Sequence, residues 1–251
     1  MAATADDTAA HTDASDPGPA PRGRRPGRIA RVVSVFGELL ITAGLLLALF
    51  VVYSLWWTNV IADRKADKRS DRVRDHWAHT TDTGPGALDT KDGIGFLHVP
   101  SMKNGVVLVE KGTGTDVLND GVAGYYLDPV KATLPTTGKT GNFALAAHRD
   151  GHGAKFHNID KVRKGDPIVF ETRDDWYVYK VFSILPETSK YNVNVLTAVP
   201  KESGRNKPGH YITLTTCTPV YTSEYRYIVW GELVRVQKVD SKRTPPAELR
   251  G

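Results

Sequence analysis

Two hydropathy patterns divide this chain. From Gly93 onward apolar and polar residues alternate with a period of two, the mark of half-buried strands. The alternation covers Ile94 to Met102, Val106 to Glu110, Asn142 to His148, Pro167 to Thr172, Trp176 to Ile184, His210 to Cys217 and Arg226 to Val239. Turn formers separate these runs, as in Lys103-Asn-Gly105, Arg149-Asp-Gly-His-Gly153 and Lys164-Gly-Asp166. Helical signals are scarce here, with short stretches at Thr115 to Asn119 and Val193 to Val199. About seven or eight strands with few helices predict a mainly β domain, a closed barrel or a sandwich.

The first part of the chain follows other rules. Residues 1–28 carry almost no large apolar side chains and read as a disordered tail, because nothing there offsets the entropy of ordering. Leu39 to Trp57 then runs without a charge. As a helix its length is ~28 Å, close to the hydrocarbon thickness of a bilayer. Tyr53, Trp56 and Trp57 gather at its far end, where amphipathic rings favour the headgroup level. A cleaved signal peptide has a shorter apolar region leading to a small-residue cleavage site, which Thr58 to Ala62 supplies poorly, so residues 29–60 are read as an uncleaved transmembrane anchor. Residues 61–92 are read as a juxtamembrane stalk and linker. In their first part Asp63, Asp67, Asp71 and Asp75 interleave with basic residues, a pattern suited to a solvated helix. The folded domain is expected over residues 93–239, with a flexible tail over 240–251.

Composition narrows the choice of function. The formal net charge of +5 over 251 residues sits largely beside the apolar segment, and no basic stripe interleaved with aromatics is present, so nucleic acid is not an expected partner. Arginines flank the apolar segment on both sides, which leaves its orientation open on charge alone. Cys217 is the sole cysteine of a chain read as exported, so no intrachain disulfide is available to it. It is a small buried hydrophobe, half of an intermolecular bridge, or a nucleophile.

A free thiol has a pKa of ~8.5, so a nucleophilic cysteine needs a base or a cation beside it. His148 and Arg226 are the natural partners. His148 closes a strand on the face of Ala144 and Ala146, opposite Phe143 and Leu145, and Cys217 closes another strand. Arg226 opens the strand after a short connection and stays protonated, so it can hold a carbonyl and an oxyanion but cannot act as a base. Thr216, next to the thiol in sequence, is a candidate substrate-binding residue. His148, Asp150, His152 and His157 are close in sequence, but Gly151 and Gly153 interrupt them and no zinc-type spacing occurs; neither a metal nor a cofactor is expected. Leu134-Pro-Thr-Thr-Gly138 stands ahead of a strand and is read as a turn.

Three blocks carry a family resemblance. Asn142-Phe-Ala-Leu-Ala-Ala-His148-Arg149, Leu214-Thr-Thr-Cys217-Thr-Pro219 and Glu224-Tyr-Arg226-Tyr-Ile-Val-Trp-Gly231 resemble the signature blocks of sortases, the membrane-anchored transpeptidases of Gram-positive cell walls. Class E, typical of high-GC actinobacteria, is the nearest match. The resemblance runs from about Gly93 to Val239 and implies an eight-stranded β-barrel, a cytoplasmic N-terminus and an extracytoplasmic catalytic domain at the plasma membrane. It implies that Cys217 attacks a C-terminal sorting signal, Leu-Ala-X-Thr-Gly in preference to Leu-Pro-X-Thr-Gly, between Thr and Gly. His148 then protonates the departing amine, Arg226 steadies the oxyanion, and a lipid-linked peptidoglycan stem-peptide amine resolves the thioacyl enzyme. A tyrosine ahead of the histidine block goes with the alanine preference, at the place of Tyr125 and Tyr126. The alternatives are a pilin-polymerising sortase that uses a protein lysine, and a non-catalytic surface barrel that binds partners.

Overall fold

The computed structural model describes residues 27–79 and 93–250, so most of the N-terminal tail and the end of the linker lie outside the described residues. The chain divides into two compact units, residues 1–49 and 50–251. Helix α1 (Arg28–His79) begins in the first. Its side chains there, Leu39, Leu45 and Leu46 among them, are exposed over more than half their surface. Among the described residues α1 is the one helix long and apolar enough to cross a membrane.

The second unit is a closed barrel. Its strands are β1 (Gly95–His98), β2 (Val106–Lys111), β3 (Ala123–Tyr125), β4 (Gly141–Ala146), β5 (Pro167–Glu171), β6 (Asp175–Ser189), β7 (His210–Thr218) and β8 (Tyr225–Lys238). They close in the order β1-β2-β3-β4-β7-β8-β6-β5. Two neighbouring pairs are parallel, β2 with β3 and β4 with β7; the others are antiparallel. Alternation sends Leu97, Val107, Phe143, Leu145, Ile168, Phe170, Ile212, Leu214 and Val229 into one interior cluster. Strand β4 is buried along its whole length. Its outer face is covered too, because Ala144 packs with Val195 and Leu196 from the β6–β7 connection and with Ile228 and Trp230 of β8.

Three segments depart from the sequence reading. Strand β3 has only three residues, too few to display a period, and was not among the predicted strands. The segment expected to be a solvated stalk is solvated on one side only: Ala66, Val73 and Trp77 of α1 are buried against Phe96 of β1, Leu108 of β2 and Val122. Trp77 meets Phe96 edge to face, with centroids 5.3 Å apart. The tail after Asp240, expected to be loose, is fastened by Arg243, whose Nη2 donates to Glu171 Oε1 at 2.7 Å and to the Thr172 carbonyl at 2.9 Å. Further along, Arg235 holds Glu248 through two contacts of 2.6 Å, and Leu249 packs on the cluster of Val169, Trp176 and Val178.

Glu171 joins the two ends of the domain. Its carboxylate is 2% exposed and accepts from His98 Nε2 at 2.9 Å and from Arg243, with Arg74 of α1 at 3.3 Å. Burial pushes its pKa up, but the hydrogen bonds from His98 and Arg243 and the charge of Arg74 outweigh this and hold it below the ordinary value of 4.5. A depressed carboxylate stabilises the fold above its unfolded pKa, and this stability is lost as pH falls through the folded value. Chemical denaturation of the full chain is therefore expected to show stability that is complete above pH ~4.5 and declines below it. Glu171→Ala, which leaves His98, Arg74 and Arg243 without their shared buried carboxylate, is expected to cost about 3 kcal/mol at neutral pH and to flatten that acidic decline.

Candidate active site

The β4-β7-β8 portion of the sheet brings the sequence-predicted residues together. The β4/β7 ladder pairs Ala146 with Thr215, and the Ala147 amide continues it by donating to the Thr215 carbonyl at 3.3 Å. Two residues further on each chain stand His148 and Cys217, at one level. Cys217 is in turn the register partner of Arg226 across the β7/β8 ladder. Face follows from parity: Phe143, Leu145, Ile212, Leu214, Tyr227 and Val229 point inward, so His148, Cys217 and Arg226 share the outer face with Ala144, Ala146, Thr215 and Ile228. The thiol and the guanidinium thus project from adjacent strands on one side of the sheet, and the imidazole follows two residues past the end of the neighbouring β4. All three are partly exposed.

Each is held by neighbours. Asn119, which follows the short helix α2 (Thr115–Leu118), places Oδ1 2.8 Å from His148 Nε2. With the amide oxygen facing the ring, Nε2 donates, and the basic lone pair is left on Nδ1. Burial lowers the His148 pKa below 6.5 and the nearby His152 lowers it further, against a smaller opposing pull from Asp150. The imidazole is therefore mostly neutral at neutral pH. Buried Arg149 donates to Thr218 Oγ1 at 3.0 Å and to the Cys217 carbonyl at 3.4 Å, steadying the end of β7. Arg226 Nη1 donates to the carbonyls of Ser223 and Tyr225 at 3.1 and 2.9 Å, which curls its side chain back over the β7–β8 connection.

The structure separates the three substrate-binding candidates. Tyr126 lies at the site: its Oη is 2.9 Å from Thr215 Oγ1, two residues before the thiol on the same face. Burial raises the Tyr126 pKa and outweighs the hydrogen bond with Thr215 and the charge of Arg226, which lower it, so it stays a neutral phenol. Tyr125, one residue earlier, points into the barrel core. Thr216 is turned inward as well, and its hydroxyl donates to the Ala147 carbonyl at 2.7 Å, lacing the end of β4 to β7. Neither Tyr125 nor Thr216 faces the thiol side of the sheet. In the Leu134–Gly138 string, Pro135–Thr137 is wound into a 3₁₀ turn that ends at Gly138 in the left-handed region.

Comparison with known proteins decides the family. A sortase-domain family model matches residues 97–234. The chain belongs to the sortase family. It is 73% identical over 233 residues to Sortase SrtE2 of Streptomyces coelicolor, covering 90% of this chain and 92% of that protein. It is 46% identical to Sortase SrtE1 of the same organism over 90% of this chain and 64% of the relative. Among solved structures, sortase E1 of Streptomyces coelicolor, crystallised with a tripeptide in its active site, aligns with a TM-score of 0.59 at 48% identity, covering 62% of this chain and 96% of that one. Sortase E of Streptomyces avermitilis aligns at 0.54 with 36% identity, over 62% and 95% of the two chains. These likenesses make it a class E sortase, a member of a family of membrane-associated transpeptidases.

Sequence reasoning singled out Cys217, His148 and Arg226 but not Asn119 or Arg149, which the fold sets against them. Asn119 closes the short helical stretch expected over Thr115 to Asn119, and only the folded chain brings its amide to His148. Arg149 adjoins His148 in sequence, yet its role depends on the β4/β7 pairing. The separation of the two tyrosines gives a direct check. In urea unfolding, Tyr125→Ala is expected to cost about 3 kcal/mol as a core deletion, whereas Tyr126→Phe, which removes one hydroxyl, is expected to cost about 1 kcal/mol.

Proposed function

We propose that this sortase cleaves a C-terminal Leu-Ala-X-Thr-Gly sorting signal between Thr and Gly through a thioacyl intermediate on Cys217, and joins the acyl protein to a cell-wall precursor amine. The observation that carries the reading is the pairing of Cys217 with Arg226 across β7 and β8, beside the β4 end that leads two residues on to His148. The tripeptide in the active site of the S. coelicolor E1 relative supports an extended peptide as the kind of substrate.

A mostly neutral imidazole enters the reaction as a base. His148 takes the thiol proton as Sγ bonds to the threonine carbonyl carbon, and the oxyanion that forms is met by the Arg226 guanidinium, a contribution of about 3 kcal/mol in comparable sites. The carbon–nitrogen bond then breaks, and the same proton passes from His148 to the departing glycine amine. An incoming amine attacks the thioester and gives a proton to His148, the carbon–sulfur bond breaks, and His148 returns that proton to Sγ to restore the thiol. The arrangement needs no cofactor.

Tyr126 is the tyrosine that reads the second position of the signal. Its hydroxyl, fixed by Thr215, can accept from the backbone N–H of an alanine there, which proline lacks. The apolar part of α1 is the single-pass anchor at the plasma membrane, with the N-terminus cytoplasmic and the barrel outside. The partners are secreted proteins with the sorting signal and a lipid-linked peptidoglycan stem peptide.

The test is cleavage of paired fluorogenic peptides by the full chain in detergent. Leu-Ala-X-Thr-Gly is expected to be cleaved at Thr-Gly faster than Leu-Pro-X-Thr-Gly, with the difference reduced in Tyr126→Phe. Activity is expected to vanish in Cys217→Ala and to fall on acidification with a midpoint below pH ~6.5, as His148 becomes protonated before it can accept the thiol proton. Unchanged cleavage by Cys217→Ala, or no cleavage of either peptide by folded protein, contradicts the proposal.

A further inference from the structure

The stretch of α1 from Asn59 to Arg69 grips two segments that hold His148 between them. The first is Asn119-Asp-Gly121, whose leading residue bonds the imidazole at 2.8 Å. The next residue, Asp120, accepts from Lys65 Nζ at 2.8 Å and from Arg69 Nη2, and Arg69 Nη1 lies 2.8 Å from both oxygens of Glu110. Gly121, at φ +74°, comes so close to the helix that a Cβ there lies 2.9 Å from the Ala62 carbonyl oxygen.

The second segment is the turn that follows His148. Gly151, His152, Gly153 and Ala154 have φ of 63°, 47°, 80° and 39°, four successive residues in the left-handed region. Residues with a Cβ persist there only where their surroundings hold them. Here α1 supplies the hold, since the Gly153 amide donates to Asn59 Oδ1 at 2.9 Å and Lys155 Nζ lies 2.8 Å from Asp63 Oδ1. Within this turn the His152 ring centroid is 5.5 Å from that of His148. Each neighbour of the His148 ring, Asn119 on one side and His152 on the other, is thus one residue from a residue bonded to the helix.

We propose that residues 59–69 of α1 are a positioning element for the active site, in which Arg69, through Asp120 and Asn119, and Asn59, through the left-handed turn, fix the orientation and tautomer of the His148 imidazole. Its catalytic meaning rests on the role assigned to His148 above, but its structural content does not. The helical segment leading from the anchor is on this account part of the transpeptidase and not only a spacer.

The experiment uses the full chain in lipid nanodiscs, with Arg69→Ala, Arg69→Lys, Asn59→Ala and, as control, Lys68→Ala on the exposed side of the same helix. The first readout is the 15N signature of His148 in histidine-labelled protein, assigned by its loss in His148→Gln; it needs no substrate. Wild type and Lys68→Ala are expected to show the Nε2–H tautomer alone, and Arg69→Ala a mixture of tautomers. The second readout is peptide cleavage, in which kcat is expected to fall about tenfold in Arg69→Ala with KM within about twofold, and to recover in part in Arg69→Lys. If Arg69→Ala fails to fold, Asn59→Ala, which removes a single hydrogen bond, is expected to show the same tautomer mixture. A wild-type His148 signature in both folded alanine variants overturns the proposal. A changed signature in protein that cleaves no sorting peptide upholds the positioning and removes the function assigned to it.

Discussion

The site depends on one pairing, the parallel ladder of β4 and β7 in the register that sets Ala146 beside Thr215. Strand parity then fixes everything on the outer face: His148 and Cys217 stand level, and the antiparallel β7/β8 ladder adds Arg226 on the same side. A slip of one residue turns the thiol into the barrel and Thr216 out of it. The register is strongly specified because both faces of β4 are buried, the inner by the barrel core and the outer by Val195, Leu196 and Trp230. Two side-chain bonds reinforce it, Thr216 to the Ala147 carbonyl and Thr215 Oγ1 to the Leu145 carbonyl at 3.1 Å.

Around this floor the fold arranges control of protonation. The pKa of His148 is lowered by burial and by His152, and its ring is tied at Nε2 by Asn119, so the imidazole is neutral with a defined tautomer. Arg149 is committed to the end of β7, whereas Arg226 bonds carbonyls of its own connection and remains partly exposed. Two arginines near one thiol thus have different duties. The buried one steadies the end of β7, and the partly exposed one braces the β7–β8 connection. Tyr126 extends the same face, and its hydroxyl is aimed by Thr215.

Much of this was legible in the sequence where a period was long enough to count. The alternation in Asn142 to His148 assigns Phe143 and Leu145 to one face and Ala144 to the other, and that is where they lie. The same alternation along Ile212, Leu214 and Thr216 assigns Thr216 to the core side, so its reading as a substrate contact ran against its own pattern. Strand β3 was missed because three residues carry no period. The charged helix was read as solvated because its acids and bases alternate at helical spacing. Lys65 and Arg69 instead reach Asp120 and Glu110, distant in sequence, while Ala62, Ala66, Val73 and Trp77 form an apolar stripe that those charges obscure. The tail after Asp240 shows the same limit, for nothing local announces that Arg243 ends on Glu171.

The central claim is that three groups at one level of β4, β7 and β8 form an acyl-transfer site with Cys217 as the covalent centre. Rapid acid quenching of the full chain with a Leu-Ala-X-Thr-Gly peptide, followed by peptide-level mass spectrometry, tests it most directly. The account predicts an adduct of the acyl half of the substrate on the peptide that carries Cys217, and less of it in Arg226→Ala. Turnover of the peptide with the acyl group on another residue, or with no covalent adduct at any quench time, contradicts it.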